Sequence, residues 1–291
     1  MAGTAQLELE PLHPNLGARV HGLDVTAGLD AATVEALHDA IDRYSVLCLP
    51  DQPMTDEAQL AFTRLLGEPE ENHLAYGRTG RIEYLGTIGN VVDASTKRDN
   101  DDPAIRFQRA NELWHSDSSF REVPTYVSIL HAYELPGEGG DTLFASMRAA
   151  YDGLDPDVRS TIDGLRVWHD YVYSRSQVAP VDPELGASLP PVVHKLVRTN
   201  PRTGRKNVFV GSHARSIVGW SGIDSRRLID DLNARTTVEP AVYRHRWSPG
   251  DTVIWDNRTV LHRGAGYDAT RWRRLLRQTR VRGAGPTLDE A

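Results

Sequence analysis

Two polar residues separated by one position could bind a metal ion near the middle of the chain. His115 and Asp117 lie in the segment WHSD. In an extended segment, side chains two positions apart point the same way, so an imidazole nitrogen and a carboxylate can face one ion. The spacing alone is weak evidence, because 11 histidines and 40 acidic residues give about 1.5 such pairs by chance. A histidine beside an unrelated aspartate is the alternative.

A third candidate ligand, His262, ends an apolar segment that begins after Gly250. Two histidines and one carboxylate on one face of a metal leave adjacent positions open, which suits Fe(II) that must bind a cosubstrate and O2. A closed structural zinc site would want four ligands and prefers thiolates. The single cysteine, Cys48, lies in a short apolar segment where we expect a buried structural residue.

A basic segment, Arg273 to Arg282, follows His262. If it is a strand, period two divides its side chains between two faces. One face then carries Arg273, Leu275, Arg277, Thr279 and Val281, and the other, which we expect to be solvated, carries Arg274, Gln278, Arg280 and Arg282. A guanidinium that faces a core needs an anionic partner from the protein or from a ligand. A bound dicarboxylate would fit this chemistry; internal salt bridges and an exposed basic strand are the alternatives.

The elements around these motifs predict a mainly β fold. Apolar residues from Val34 to Tyr44 recur at helical spacing after Asp30, and we expect further helices over 55–66, 156–164 and 223–232. Short β-like segments at 126–132, 165–173, 208–211, 241–247, 252–255 and 273–281 favour a sandwich or barrel decorated with helices. We expect one domain over 1–291, with a mobile lid at 72–110, where the chain is polar and glycine-rich.

The composition excludes several classes of function. The formal net charge is -7, from 33 basic and 40 acidic residues, which argues against a nucleic-acid partner. A hydrophobic share of 40% is typical of a globular protein. No apolar segment has the length of a membrane span and the N-terminus lacks a secretory pattern, so we expect a cytoplasmic protein without a membrane partner.

Several segments together resemble the TauD/TfdA family of Fe(II)/2-oxoglutarate-dependent dioxygenases. They are NELWHSDSSF, GGDT at 139–142, GDTVIWDNRTVLHRG around His262, and RRLLRQT. The match runs in order through most of residues 15–283. MRAAYDGL, LVRTNPRTGRKNVFVGSHA and YRHRW are most similar to the phenoxyalkanoate, 2,4-dichlorophenoxyacetate-type dioxygenases. The resemblance implies a double-stranded β-helix, or jelly roll, with helical insertions.

The resemblance also implies roles for individual residues. His115, Asp117 and His262 would be the iron ligands, and Thr142 and Arg273 would hold the distal carboxylate of 2-oxoglutarate. Arg277 matches the arginine that binds the carboxylate or sulfonate of acidic substrates. The implied reaction consumes O2 and 2-oxoglutarate, hydroxylates a C–H bond of a small anionic substrate, and releases succinate and CO2. Ether cleavage would follow where the hydroxylated carbon bears an ether oxygen.

The match weakens over residues 72–110. Lys97 falls near a lysine that helps bind the substrate carboxylate in the herbicide-cleaving enzymes, and a solvated lysine is the alternative. His213 lies in a matched segment and could line the pocket. A tailoring oxygenase acting on an amino acid or a carrier-bound acid is the alternative within the family, and a non-catalytic 2-oxoglutarate- or metal-binding jelly roll is the alternative outside catalysis. We expect a small-molecule substrate and a homo-oligomer.

Overall fold

The computed structural model describes residues 6–72 and 84–290. Residues 73–83 of the expected lid lie outside this part of the chain. Its strands are β1 (Glu8–Pro11), β2 (Ala18–His21), β3 (Val46–Leu49), β4 (Gly86–Gly89), β5 (Thr125–Glu134), β6 (Thr142–Ser146), β7 (Arg166–His169), β8 (Val192–Lys195), β9 (Val197–Thr199), β10 (Lys206–Val208), β11 (Ala214–Ile217), β12 (Val242–His245), β13 (Thr252–Asp256), β14 (Val260–Gly264) and β15 (Leu275–Arg282).

Helices connect these strands at several points. They are α1 (Ala31–Tyr44), α2 (Asp56–Leu66), α3 (Pro103–Gln108), α4 (Met147–Asp152), α5 (Pro156–Ile162), α6 (Tyr171–Arg175), α7 (Pro183–Ser188) and α8 (Gly222–Thr236). Short 3-10 helices cover Arg109–Glu112, Glu239–Ala241 and Thr287–Asp289. None of the helices in the described residues is long and apolar enough to cross a membrane.

Two sheets dominate the architecture. The larger has seven strands in the order β1-β2-β3-β13-β5-β15-β4, and a smaller sheet has the order β12-β6-β14. One hydrophobic cluster joins them: Leu130, Trp255 and Leu276 come from the large sheet, whereas Phe144 and Val260 come from the small one. The two sheets therefore pack against each other as a jelly roll, and the expected mainly β fold is confirmed.

Helix α1 shows how local sequence signals produce these elements. The side chain of Asp30 accepts a hydrogen bond from the backbone N–H of Thr33, which satisfies a free donor in the first turn. Ser45 ends the helix in the left-handed conformation. Leu37 and Ile41, one helical turn apart, are buried in the core cluster that also contains residues of the large sheet. The helix predicted after Asp30 is therefore confirmed.

Two elements differ from the sequence prediction. The strand expected over 165–173 ends at His169, and α6 begins at Tyr171 because Asp170 caps it through the backbone N–H of Tyr173. Part of the expected lid is regular structure, since β4 pairs antiparallel with β15 at the edge of the large sheet. These two elements lie next to the candidate functional site.

Candidate metal centre

Three side chains from different parts of the chain meet as the sequence predicted. His262 lies on β14, and its backbone exchanges hydrogen bonds with that of His115 in both directions, at 3.0 and 2.8 Å. The carboxylate of Asp117 lies 3.8 Å from Nε2 of His115 and 3.7 Å from Nε2 of His262. One potential ligand atom from each residue lies within 4.8 Å of the others. These separations exceed direct hydrogen bonds and leave room for an ion.

The protonation states of the triad fit a divalent metal. Nδ1 of His115 lies 2.7 Å from the carbonyl oxygen of Leu113, which can only accept, so Nδ1 carries the proton and Nε2 keeps its lone pair. Burial lowers the pKa of His115, and burial with the adjacent His115 lowers the pKa of His262 to about 3. Burial raises the pKa of Asp117, but attraction to the two imidazoles when they are protonated, attraction to Arg280 and the hydrogen bond from Ser128 together lower it. Two neutral imidazoles and a carboxylate are the result.

Residues of the large sheet hold Asp117 in place. Ser128 donates a hydrogen bond of 2.6 Å to Oδ2 of the carboxylate, and Nε2 of Gln278 donates a second of 3.1 Å. The backbone N–H of Asp117 donates to Oδ1 of Asn257, whose amide in turn donates to Oγ of Ser128. These contacts orient the carboxylate toward the histidines, as expected of groups that surround metal ligands.

A cavity of about 190 Å³ opens onto the triad. Thr142 and Arg274 line it. Arg274 is 6% exposed; its guanidinium donates to the carbonyl oxygen of Gly140, and its Nε has no hydrogen-bond partner within residues 6–72 and 84–290. Burial lowers the pKa of Arg274 to about 10, so the group stays charged at neutral pH. A buried guanidinium with a free donor and a threonine hydroxyl on the wall of the same cavity can together bind the carboxylate of a ligand.

The structure does not bring Arg273 and Arg277 to this cavity, which corrects their expected placement. Arg273 forms an ion pair with Glu134, with 2.7 Å between Nε and Oε2. Arg277 lies 3.3 Å from Asp56 at the start of α2 and also donates to Thr87. The face of β15 that carries Arg277 packs toward α2, where Thr279 accepts a hydrogen bond from Thr63. The face that we expected to be solvated, with Arg274, Gln278 and Arg280, lines the cavity instead.

The two further candidates have different positions. His213 lines the cavity, with Nδ1 3.1 Å from Oγ of Ser119 and its ring edge-on to that of His115 at 6.4 Å. Lys97 is absent from the cavity wall among the described residues. Its ammonium group donates to the carbonyl oxygens of Ala269 and Thr270, at 2.8 and 2.6 Å, and so ties two surface segments together.

A second cluster of potential ligands, Cys48, His245 and Asp251, is fully buried away from this cavity. Nε2 of His245 lies 3.2 Å from Oδ2 of Asp251, and that oxygen also accepts the backbone N–H of Ser248. Burial raises the pKa of the Cys48 thiol to about 12. A protonated thiol in this buried cluster is not a ready metal ligand, in line with the structural role expected for Cys48.

Sequence reasoning missed four polar residues of the cavity wall. Arg274, Gln278 and Arg280 were assigned to solvent. Arg175 fell just beyond a predicted strand whose last residues, from Tyr171, instead begin a helix. The signal for Arg175 was present, since Asp170 is a favourable N-cap residue ahead of Tyr171.

Comparisons with known proteins agree with this site. The family model for the taurine catabolism dioxygenase TauD, TfdA family matches residues 8–279. An alpha-ketoglutarate-dependent 2,4-dichlorophenoxyacetate dioxygenase of Cupriavidus pinatubonensis is 39% identical over 97% of both chains. Pentalenolactone F synthase of Streptomyces arenae is 33% identical over 90% of this chain and 91% of the relative. The crystal structure of AAD-2 in complex with Mn(II) and N-oxalylglycine superposes with a TM-score of 0.89 at 34% identity, covering 98% of this chain and all of that one.

Proposed function

The chain belongs to the TauD/TfdA family and is an α-ketoglutarate-dependent dioxygenase that uses Fe(II), and on this premise we propose that it hydroxylates a small organic anion next to its anionic group. The observation that carries the proposal is a His–Asp–His triad that opens onto one cavity with Thr142 and Arg274. Relatives named for 2,4-dichlorophenoxyacetate and for sulfate esters support an acidic substrate. Where the hydroxylated carbon bears an ether oxygen, the product would collapse and the ether would be cleaved.

His115, Asp117 and His262 would hold the iron. Bound Fe(II) would supply O2 activation coupled to the decarboxylation of 2-oxoglutarate, so that one oxygen atom enters the substrate and the other enters succinate. The protein itself binds the cosubstrate, orients the substrate carbon and limits the access of water. Hydrogen abstraction needs no protein base, which agrees with a cavity whose imidazoles belong to the triad or, for His213, to a hydrogen bond with Ser119.

We assign the distal carboxylate of 2-oxoglutarate to Thr142 and Arg274. Both line the cavity, whereas the charge of Arg273 is already paired with Glu134. We expect Arg274→Gln to raise the KM for 2-oxoglutarate by about 10- to 100-fold, because the variant loses a charged hydrogen bond to the cosubstrate. Arg273→Gln should leave that KM within about twofold of the wild-type value. The reverse ranking would return the role to Arg273.

An anaerobic spectrum tests the core of the proposal. Addition of Fe(II) and 2-oxoglutarate to the purified protein should produce a visible charge-transfer band, because the keto acid chelates the metal. His115→Ala should abolish this band and iron-dependent turnover. A wild-type protein without the band, or a variant with full activity, would contradict the iron assignment.

A tailoring oxygenase acting on an amino acid or a carrier-bound acid is the second candidate, and the match to pentalenolactone F synthase favours it. Substrate-dependent succinate release over a panel of phenoxyacids, sulfate esters and amino acids separates the two. The expected homo-oligomer, the cytoplasmic location and the mobile lid stay predictions. Size-exclusion chromatography with light scattering measures the first.

A further inference from the structure

Arg175 ends helix α6 beside the segment that carries the metal ligands. Oγ of the preceding Ser174 donates a 2.8 Å hydrogen bond to Ser212, and the backbone N–H of Ser212 donates to the carbonyl oxygen of Trp114, also at 2.8 Å. Trp114 directly precedes His115. The guanidinium of Arg175 lines the same cavity as the triad. Helix α6 therefore fixes a cation close to the metal centre.

Among the described residues, no carboxylate forms a direct ion pair with Arg175, although Asp117 acts on its charge from farther away and Tyr171 shares a hydrogen bond with it. One terminal nitrogen donates to Oδ1 of Asn111 at 3.1 Å, and the guanidinium lies 5.4 Å from the ring centroid of Phe107 and 5.5 Å from that of Tyr171. Burial lowers the pKa of Arg175. A cation removed from water without an ion-pair partner is costly, so the position is suited to an anionic ligand.

The other cations of the cavity wall already have partners or roles. Nε of Arg280 lies 3.2 Å from the buried carboxylate of Glu70. Arg274 lines the cavity with Thr142 and is assigned to 2-oxoglutarate, and Arg109 is exposed. Gln278 also lines the cavity, but its side chain is neutral and already donates a hydrogen bond to Asp117. Among the described residues of this wall, Arg175 is thus the partly buried cation still available to a second anion, whereas the exposed Arg109 is solvated.

We propose that Arg175 binds the anionic group of the substrate, a carboxylate, sulfonate or sulfate, and so selects acids. The proposal rests on the proposed function. Ile105 and Phe120 line the same cavity, and the helix that carries Ile105 also places Phe107 against Arg175. An oxyanion held by a guanidinium, with an apolar body against these side chains, is the ligand chemistry that this wall would recognise.

Binding to an inert complex tests the proposal without turnover. The protein is loaded with Mn(II) and N-oxalylglycine, and isothermal titration measures the affinities for 2,4-dichlorophenoxyacetate, hexanesulfonate and hexyl sulfate. We expect Arg175→Gln to weaken the best-bound acid by about 10- to 100-fold. Arg175→Lys should recover part of that loss, because it keeps the charge but not the planar geometry. The matched control, Arg277→Gln, should bind like the wild type.

A neutral probe separates a charge effect from a packing defect. 2,4-Dichloroanisole has the same ring and lacks the anion, so we expect the wild-type protein and Arg175→Gln to bind it equally. Equal acid binding by wild type and both Arg175 variants, or loss only in Arg277→Gln, would overturn the proposal. So would a wild-type protein that binds none of the three acids. The charge-transfer band of Fe(II) and 2-oxoglutarate tests the dioxygenase assignment independently of Arg175. If the band is present but acid binding contradicts the proposal, the dioxygenase assignment stands and the role of Arg175 is wrong.

Discussion

At the scale of single residues, the carboxylate of Asp117 depends on neighbours that do not bind metal. Ser128 and Gln278 both donate to Oδ2, so this oxygen already has two hydrogen bonds before any ion arrives. Such contacts fix the rotamer of a ligand and reduce the entropy that metal binding would otherwise cost. Neither residue belongs to a metal-ligand motif, so no pattern in the sequence identified them.

We expect Ser128→Ala to weaken metal binding by about 10- to 100-fold, because Asp117 loses its shorter hydrogen bond and Asn257 loses an acceptor. Titration with Mn(II), followed by the electron paramagnetic resonance signal of the free ion, measures the affinity. Ser188→Ala, a change in an exposed side chain, is the matched control. Wild-type affinity in Ser128→Ala would show that Asp117 is held without this contact.

The arginines of the basic segment show where residue patterns stop being informative. Alternation correctly separated Arg273 and Arg277 from Arg274 and Gln278. It does not show which of the two strand faces points toward the ligand. The apolar residues on the first face suggested that it faced the ligand. In the structure those residues face the core instead: Val281 is buried in the cluster that contains residues of α2, and the hydroxyl of Thr279 accepts from Thr63 of that helix.

At the scale of elements, the sequence predicted four helices close to their observed ranges but missed the short helix α6 beside the site. Helices α1, α2, α5 and α8 lie close to the expected ranges, since each begins at an aspartate, threonine or serine suited to capping. Helix α6 is five residues long, and its alternating sequence reads equally well as a strand. Its N-cap residue, Asp170, is visible in the sequence, but the hydrogen bond between Ser174 and Ser212 joins positions 38 residues apart and cannot be read from local pattern.

Strand β4 positions Arg274 from the edge of the large sheet. The side chain of the buried Asn90 accepts from the backbone N–H of Arg274 and donates to the carbonyl oxygen of Trp272. Gly89 has a φ of +138°, and a Cβ there would overlap the carbonyl oxygen of Arg274. Only glycine permits this close approach without displacing the backbone that carries the proposed cosubstrate anchor.

We therefore expect Gly89→Ala to raise the KM for 2-oxoglutarate and to lower the free energy of unfolding by about 1–3 kcal/mol, the usual cost of a strained backbone conformation. Steady-state kinetics and urea denaturation measure the two effects. Gly285→Ala meets no heavy atom within 4 Å and serves as the control. A Gly89→Ala protein with unchanged KM would mean that Arg274 does not depend on this contact.

At the scale of the whole molecule, the positive charges concentrated after residue 270 do not form a basic surface. Arg271 lies 3.4 Å from Glu138, and Arg273, Arg277 and Arg280 each have a carboxylate partner as described above. Of the two remaining cations, Arg274 faces the cavity and Arg282 is exposed to solvent. Pairing within the fold thus explains why an acidic chain carries a basic segment, and it favours small anions over an anionic polymer as ligands.

The metal centre also joins the two sheets. His262 belongs to β14 of the small sheet, whereas Asp117 is held by Ser128 on β5 and Gln278 on β15 of the large sheet. An ion bound to both residues would link the sheets directly, and any ligand that binds only the folded state stabilises it by mass action. Metal loading should therefore raise the stability of the entire domain.

We expect Mn(II) and N-oxalylglycine to raise the melting temperature by about 5–11 °C, since about 100-fold excess over Kd contributes about 2.7 kcal/mol and each kcal/mol shifts a large domain by about 2–4 °C. Differential scanning calorimetry measures the shift, and EDTA should reverse it. Asp117→Ala should lose it, because the remaining histidines both approach from the His115–His262 side and no longer connect to the large sheet. An equal shift in this variant would place the stabilising ion elsewhere in the protein.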